Sequence, residues 1–279
     1  MKKLILSILF IICLSFQASA WNPMVVVSGG GEEATPSACT SCTPGDPADI
    51  FCEDFEGSTD PPNDCAWCTW TETVSAGNVL TTGSHTGTWQ SCTSDDLGSN
   101  ALKITVDGAN GENAYLWRNI QDDAFNNMFV QFYFWFDEDN TDTLEDSDKI
   151  SVMAVTSSAD SVILWSVQVY SFSNNNILYF TYAHTGGTET VTLDGSIDDG
   201  TVYEIKVWYK RNQADGVLVY LDDVDKTDTN NNTTWDYEPH NLYIGSSDVT
   251  TNFTSGDKAM MEIDMIEFDG DTLPTSCEE

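Results

Sequence analysis

The sequence predicts an all-β protein, built as an antiparallel β-sandwich or barrel. Short segments with apolar residues at alternate positions recur between residues 103 and 268, and turn residues such as Asp, Asn and Gly separate them. Alternation with a period of two is typical of strands with one buried face. No segment keeps a helical period over any length, and repeated strands without helices indicate antiparallel sheets packed on each other.

The strongest strand signal is Met128 to Asp137, in which alternate positions are Phe or Val. Its predicted inner face is Val130, Phe132, Phe134 and Phe136. The other predicted strands are Lys103 to Val106, Ala114 to Ile120, Ile150 to Val155, Val162 to Phe172, Ile177 to His184, Thr188 to Leu193, Val202 to Tyr209, Val217 to Leu221, Leu242 to Ile244 and Ala259 to Phe268.

The first twenty residues predict a secretory signal peptide. Lys2 and Lys3 precede an apolar run from Leu4 to Phe16, and Ala18 and Ala20 supply the small residues of a cleavage site. No later stretch approaches the roughly 20 apolar residues that span a bilayer. We therefore expect a secreted, extracellular or periplasmic protein without membrane insertion.

The rest of the chain predicts one domain with a leader. Residues 21–48 are rich in Gly, Ser, Thr and Pro, which is typical of a flexible segment. Residues 49–279 are expected to form a single domain. Its N-terminal portion, residues 49–95, is rich in cysteine and poor in apolar periodicity, so we expect it to be loop-rich and held by cross-links.

Cysteine spacing allows two kinds of cross-link. Two CxxC pairs, Cys39/Cys42 and Cys65/Cys68, would suit a four-thiolate zinc site, but an oxidising compartment favours disulfides. The number of cysteines outside the predicted signal peptide is odd, so one thiol is free or pairs with a cysteine of another chain. These cysteines are Cys39, Cys42, Cys52, Cys65, Cys68, Cys92 and Cys277.

The charge balance excludes some partners. Forty-five Asp and Glu against ten Lys and Arg give a formal net charge of -35. Such a field repels nucleic acid backbones and anionic lipid surfaces, and it attracts cations, Ca²⁺ above all. The negative charge also favours solubility, and a role in solubility is compatible with a role in binding cations.

An acidic loop after the Phe-rich strand is a candidate calcium site. Oxygen-bearing side chains recur there at offsets similar to those of an EF-hand. The glycine of the sharp turn is missing, with Asp142 in its place, so a solvated acidic loop is the alternative. The candidate ligands are Asp137, Asp139, Thr141, Glu145 and Asp148.

The outward face of the Phe-rich strand is a candidate sugar site. Gln131, Tyr133 and Trp135 lie on it, and we expect Trp117 and Arg118 of an earlier strand beside them. Sugars stack on aromatic rings while polar side chains bind their hydroxyls. The alternative is that these rings pack under a loop.

The order of these segments resembles that of the concanavalin A-like, laminin-G-like jelly roll of secreted lectin and glucanase domains. The resemblance rests on Phe51 to Glu56, the hairpin of Glu204 to Tyr209 and Gly216 to Asp223, Tyr243-Ile244-Gly245 and the final strand. It implies two stacked sheets, a concave face that often holds sugar, and often calcium. It also implies that Met260 to Phe268 lies near Phe51 to Phe55, with Cys277 placed to pair with a cysteine such as Cys52.

Three acids of the final strand, Glu262, Asp264 and Glu267, resemble the ExDxxE signature of laminarinase- and carrageenase-type glycoside hydrolases. The resemblance implies that Glu262 is the nucleophile, Asp264 its partner and Glu267 the acid/base, with a bulge bringing all three to one face. The alternative is a strand that closes the sandwich, with Met261, Ile263 and Met265 inward and acids facing solvent or calcium. The C-terminal position favours this alternative.

These observations predict a secreted carbohydrate-binding module that is associated with calcium and non-catalytic. Its expected partner is a polysaccharide or cell-surface glycan. The main alternative is a glycoside hydrolase using Glu262 and Glu267. A further alternative is a structural surface or adhesion module.

Overall fold

A computed structural model describes residues 50–53, 55, 70–86, 99–107, 113–120, 127–138, 144–157, 162–173, 175–197, 200–227, 232–247, 251 and 258–269. The described part contains fifteen strands. They are β1 (Ile50–Glu53), β2 (Thr71–Val74), β3 (Val79–Ser84), β4 (Asn100–Asp107), β5 (Ala114–Asn119), β6 (Asn127–Glu138), β7 (Lys149–Ser157), β8 (Ile163–Phe172), β9 (Asn175–His184), β10 (Gly187–Asp194), β11 (Val202–Lys210), β12 (Val217–Leu221), β13 (Val224–Asp225), β14 (Pro239–Ser246) and β15 (Lys258–Asp269).

These strands form two antiparallel sheets. The eight-stranded sheet has the order β13-β12-β11-β6-β15-β4-β3, and β1 also pairs with β15. The seven-stranded sheet has the order β10-β9-β8-β7-β14-β5-β2. The predicted all-β antiparallel sandwich is therefore confirmed. Within the described ranges no helix is long and apolar enough to cross a membrane.

The hydrophobic core lies between the sheets. Val130, Phe132, Phe134 and Phe136 of β6 are all 0 % exposed, which confirms the predicted alternation. Trp165 of β8 belongs to the same core. Burying each large apolar side chain of this kind contributes about 1.5–3 kcal/mol. The outer face of each sheet is the face turned away from this core.

The final strand lies inside the sheet rather than at an edge. β15 pairs with β6 on one side, and with β4 and then β1 on the other. The pairing of Phe51 with Phe268 confirms that the first and last strands are neighbours. A register shift between Asp264 and Glu267 marks a β-bulge. The core face accordingly steps from Ile263 to Ile266, a spacing of three instead of two.

Three strands lie within the segment that the sequence predicts to be loop-rich. β1 carries Cys52, and β2 and β3 lie at the ends of the two sheet orders. Four of the six residues of β3, VLTTGS, are polar or Gly, and β2, TETV, is exposed or half-buried throughout. A terminal strand pairs on one side only and buries little, so its sequence needs no clear apolar alternation.

Gly245 in β14 is a position where the backbone requires glycine. Its φ is +101°, and an added Cβ would lie 2.6 Å from the carbonyl oxygen of Ala114 and 2.6 Å from Cδ1 of Ile104. We expect Gly245→Ala to lower the free energy of unfolding by about 2–4 kcal/mol, through backbone strain and overpacking. Urea denaturation measures this.

The matched control is Gly195→Ala, because nothing lies within 4 Å of a Cβ at that turn. It should change the free energy of unfolding by no more than about 0.5 kcal/mol. Equal urea midpoints for the two variants would contradict the close approach of β14 to β5.

Candidate functional site

Two carboxylates lie on the outer face of β15 and are nevertheless buried. Glu262 is 1 % exposed and Asp264 is 0 % exposed. Glu262 pairs in register with Trp135 of β6 and Lys103 of β4, and Asp264 pairs with Tyr133 of β6. The expectation that the acids of a closing strand face solvent is therefore wrong for these two. Burial of a charged carboxylate is costly unless partners satisfy it.

Glu262 is held by the segment that follows β3. The backbone N–H of Thr86 lies 3.0 Å from both Oε1 and Oε2 of Glu262. Nζ of Lys103 lies 3.1 Å from Oε1, and it also donates to the carbonyl oxygen of Ser84 and to Oγ1 of Thr86, each at 2.7 Å. Lys103 therefore joins Glu262 to residues 84–86, called here the 84–86 segment.

Asp264 is held by the same segment. Oδ2 of Asp264 lies 2.9 Å from Nε2 of His85, whose side chain is 13 % exposed. The two residues are 179 positions apart in the chain. Sequence reasoning missed this contact because no local pattern joins them. The only signal in the sequence was that His85 is one of three histidines.

The bulge that the hydrolase resemblance implies is present. It lies between Asp264 and Glu267, and it brings Glu267 into register with Gln131 of β6. Gln131 and Tyr133 are two residues apart and share the outer face, so the register positions of Asp264 and Glu267 lie on one face. The side chain of Glu267 is outside the described part, so no separation between carboxyl groups can be measured.

A cluster of polar side chains continues across this face onto β11. The carboxylate of Glu204 accepts hydrogen bonds from Gln131 (3.0 Å), from the hydroxyl of Tyr133 (3.1 Å) and from Nζ of Lys206 (3.0 Å). Gln131, Tyr133, Glu204 and Lys206 are all half-buried. This group is called here the polar cluster. It differs from the Glu262–Asp264 pair because solvent reaches it.

The surroundings of the cluster shift the pKa values of Lys206 and of the neighbouring Tyr220. Burial alone would lower the pKa of Lys206, but hydrogen bonds to Asp223 and Glu204, together with their negative charges, raise it overall. Burial, with the nearby charge of Asp225, raises the pKa of Tyr220 on the adjacent strand. Lys206 therefore stays cationic and Tyr220 stays neutral, which leaves its hydroxyl able to donate a hydrogen bond.

The turn between β12 and β13 supports the cluster from its outer side. Asp222 and Asp223 have φ values of 49° and 62°, in the left-handed region that non-glycine residues rarely adopt. Oδ1 of Asp222 accepts the backbone N–H of Glu204 at 2.8 Å, and Oδ1 of Asp223 accepts Nζ of Lys206 at 2.6 Å. These contacts compensate for the unfavourable backbone conformation and fix the position of the turn.

The structure brings together only part of the predicted sugar site. Gln131 and Tyr133 meet in the polar cluster, but Trp135 on the same face is 3 % exposed and cannot offer its ring. Trp117 and Arg118 lie on β5, in the other sheet, so the expectation that they adjoin Gln131 is wrong. Alternation along a strand predicts its faces but not which sheet it joins. Trp117 packs instead on Tyr243, with ring centroids 6.5 Å apart.

Two of the five predicted calcium ligands, and most of the predicted cysteines, lie outside the described residues. Asp139 and Thr141 fall in a gap, while Asp148 is buried and accepts the backbone N–H of Glu145 at 3.1 Å. Among the residues that are described, no group of three or more His, Cys, Asp or Glu could hold a metal ion. Calcium stays a prediction. Of the seven cysteines in the predicted set, only the backbone of Cys52 is described.

Comparisons with solved structures found chains of similar fold. The chain is similar to the endo-β-1,4-glucuronan lyase of the fungus Trichoderma reesei, with a TM-score of 0.51 and 15 % identity over 80 % of this chain and 99 % of that one. It is also similar to the cellulose-induced protein Cip1, with a TM-score of 0.50 and 13 % identity over 78 % of this chain and 96 % of that one. No protein-family model matches the chain, and no curated protein does. At these identities the likeness concerns the fold.

The Lys103–Glu262 contact gives a test of the buried pair. Lys103→Met would leave the Glu262 carboxylate buried without its cation. We expect the free energy of unfolding to fall by about 1–3 kcal/mol, less than for a fully buried pair because the lysine side chain is 31 % exposed. Chemical denaturation at neutral pH measures the loss.

Lys258→Met is the charge-matched control. Lys258 lies 4.0 Å from Asp107, and both side chains are more exposed than those of the Lys103–Glu262 pair. An exposed pair of this kind contributes between about 0 and 1 kcal/mol. If the free energy of unfolding fell equally in the two lysine variants, the conclusion that Lys103 stabilises the buried Glu262 carboxylate would be wrong.

Proposed function

We propose that this chain binds carbohydrate across the outer face of its eight-stranded sheet, at the polar cluster, and that it does not cleave the glycan. Its fold is similar to that of an endo-β-1,4-glucuronan lyase and of a cellulose-induced protein, which supports a carbohydrate ligand. Its partner is then a polysaccharide or a cell-surface glycan. Secretion remains a prediction, because residues 1–49 lie outside the described part.

The observation that carries the proposal is the fixed Glu204 carboxylate. Three donors, from Gln131, Tyr133 and Lys206, hold it on a half-buried face. Side chains that are already ordered lose little conformational entropy when a ligand binds. Amide, hydroxyl, carboxylate and ammonium groups together supply the donors and acceptors that sugar hydroxyls need.

Aromatic rings border the cluster. Tyr220 of β12 is half-buried and pairs in register with Lys206. Trp208 of β11 is also half-buried, but Nζ of Lys210 lies 4.1 Å from the centre of its ring. The rings of Tyr133 and Tyr220 are therefore the better surfaces for a sugar to stack on.

The state of Glu262 supports a non-catalytic role. A retaining hydrolase needs its nucleophile beside the sugar and about 5 Å from the acid/base. The side chain of Glu262 is 2 % exposed, and both its oxygens are engaged by the 84–86 segment. Among the described residues, the bulge next to Glu267 is the observation that favours the alternative function, a glycoside hydrolase.

Native affinity gels that contain laminarin, xylan or alginate test the binding proposal. We expect Tyr133→Ala and Gln131→Ala each to weaken glycan binding about tenfold, which corresponds to about 1.4 kcal/mol. Both substitutions remove a donor to Glu204 from a half-buried face, so the fold should persist.

The control is Tyr237→Ala. Tyr237 is 40 % exposed and stacks on Trp235 outside both sheets, so its removal should leave binding unchanged. The proposal would be contradicted if the wild type migrated equally far in gels with and without each polysaccharide. Equal retardation of the wild type and the Tyr133 variant would also contradict it.

A reducing-end assay on laminarin separates binding from hydrolysis. We expect the wild type and Glu262→Gln alike to release no new reducing ends. Activity in the wild type that Glu262→Gln abolishes would establish the hydrolase and overturn the non-catalytic part of the proposal. Binding in the gels would stand in either case.

A further inference from the structure

The two sheets differ sharply in their acidic residues. β15 alone carries four acids, Glu262, Asp264, Glu267 and Asp269. The five inner strands of the other sheet, β5, β14, β7, β8 and β9, contain no Asp or Glu at all. In a chain with 45 acidic residues, the described inner strands of this sheet therefore have no acid of their own, whereas its edge strands β2 and β10 carry Glu72, Glu189 and Asp194.

Aromatic rings lie on the outer face of these inner strands. Phe172 is 54 % exposed, and Tyr170 and Tyr179 are half-buried. The ring centroid of Tyr170 lies 6.3 Å from that of Phe172 and 5.7 Å from that of Tyr179, with interplanar angles of 17° and 28°. The three rings thus form one nearly parallel group, called here the aromatic patch.

Neutral hydrogen-bonding groups lie beside the aromatic patch. Gln168 and Thr181 are on the same face and are half-buried, and Nε2 of Gln168 donates to Oγ of Ser166 at 2.8 Å. Among the described residues two charged side chains adjoin it: Nζ of Lys149 lies 5.6 Å from the centre of the Tyr170 ring, and Oδ1 of Asp146 accepts the backbone N–H of Ser173, next to Phe172. This leaves the ring of Phe172 as the most exposed stacking surface of the patch.

A second pair of rings lies on the same outer face. Trp117 of β5 and Tyr243 of β14 stack on each other, but Tyr243 is 5 % exposed. The residues of β7 from Ile150 to Ser157, which lie between this pair and the aromatic patch, are all buried. The two groups of rings therefore do not form one continuous exposed surface.

We infer that the outer face of the seven-stranded sheet is a second glycan-binding surface, which takes an uncharged polysaccharide through Tyr170, Phe172 and Tyr179. Aromatic rings with amide and hydroxyl neighbours suit the apolar faces and the hydroxyls of sugars. A neutral polymer also meets no repulsion from the net charge of -35. This surface is independent of the polar cluster, which lies on the opposite side of the sandwich.

A second copy of the chain is the competing occupant. Two such faces could pack together, but each copy would bring a charge of -35 towards the other. Aromatic residues suit the cores of protein interfaces as well as sugars, so it is the charge that favours the glycan.

Affinity gels with hydroxyethyl cellulose and laminarin as neutral probes, and alginate as an anionic probe, test the inference. The wild type should be retarded by at least one neutral probe. In the Tyr133→Ala background, which leaves the second surface as the binding site, Phe172→Ala and Tyr170→Ala should each weaken the remaining neutral binding about tenfold, since each removes a stacking ring. Retardation by the neutral probe should not change between about 0.05 and 0.5 M salt, because no charges attract that ligand.

Two controls assign binding to this face. Tyr237→Ala removes an exposed ring elsewhere and should bind like the wild type. Tyr133→Ala, on the polar cluster, should leave part of the neutral binding in place. If Tyr133→Ala abolished all binding while Phe172→Ala changed none, the second surface would be wrong and the first would stand.

Two further outcomes overturn the inference. One is a wild type that no neutral probe retards. The other is a dimer, measured by light scattering, that Phe172→Ala converts to monomer, because the face would then belong to a second copy of this chain.

Discussion

The burial of two carboxylates on the outer side of an inner strand is the constraint on which the eight-stranded sheet depends. Glu262 and Asp264 cannot turn into the core, because Met261 and Ile263 occupy that side of β15. Buried on the outer side, they must be satisfied there. The 84–86 segment does this by supplying the Thr86 N–H and the His85 ring and by accepting hydrogen bonds from Lys103. The path of the chain after β3 therefore follows from the charge on β15.

The bulge in β15 links this constraint to the rest of the face. Without the extra residue, the alternation that buries Ile263 would turn Glu267 towards the core. With it, Ile266 and Phe268 fill the core and Glu267 comes into register with Gln131. The outer face then carries the buried Glu262–Asp264 pair and, a few residues away, the solvent-accessible polar cluster. The second sheet needs no such device, since its inner strands have no acids to satisfy.

The sequence predicted what depends on local periodicity and failed where distant segments meet. The alternation of Phe and Val in β6 predicted its core face because a period of two follows from strand geometry. The step from Ile263 to Ile266 could have signalled the bulge. The contact of His85 with Asp264 joins residues 179 positions apart, and no local pattern encodes it. The same limit applies to Trp117, which local alternation cannot place in one sheet or the other.

Catalysis at Glu262 would require the 84–86 segment to open, and the energy of its contacts bounds how often this happens. Opening breaks the hydrogen bond from Thr86 to Glu262 and the contact of His85 with Asp264, and it separates Lys103 from either Glu262 or Ser84. A hydrogen bond to a charged group contributes about 1.5–3 kcal/mol, so the Thr86 and Lys103 contacts by themselves hold the segment closed by about 3–6 kcal/mol. The open form would then be populated at about one part in a hundred or less. A glycan could reach Glu262 only if it bound the open form about 3–6 kcal/mol more tightly than the closed form. The same glycan would reach Tyr133 and Glu204 without any rearrangement of the chain.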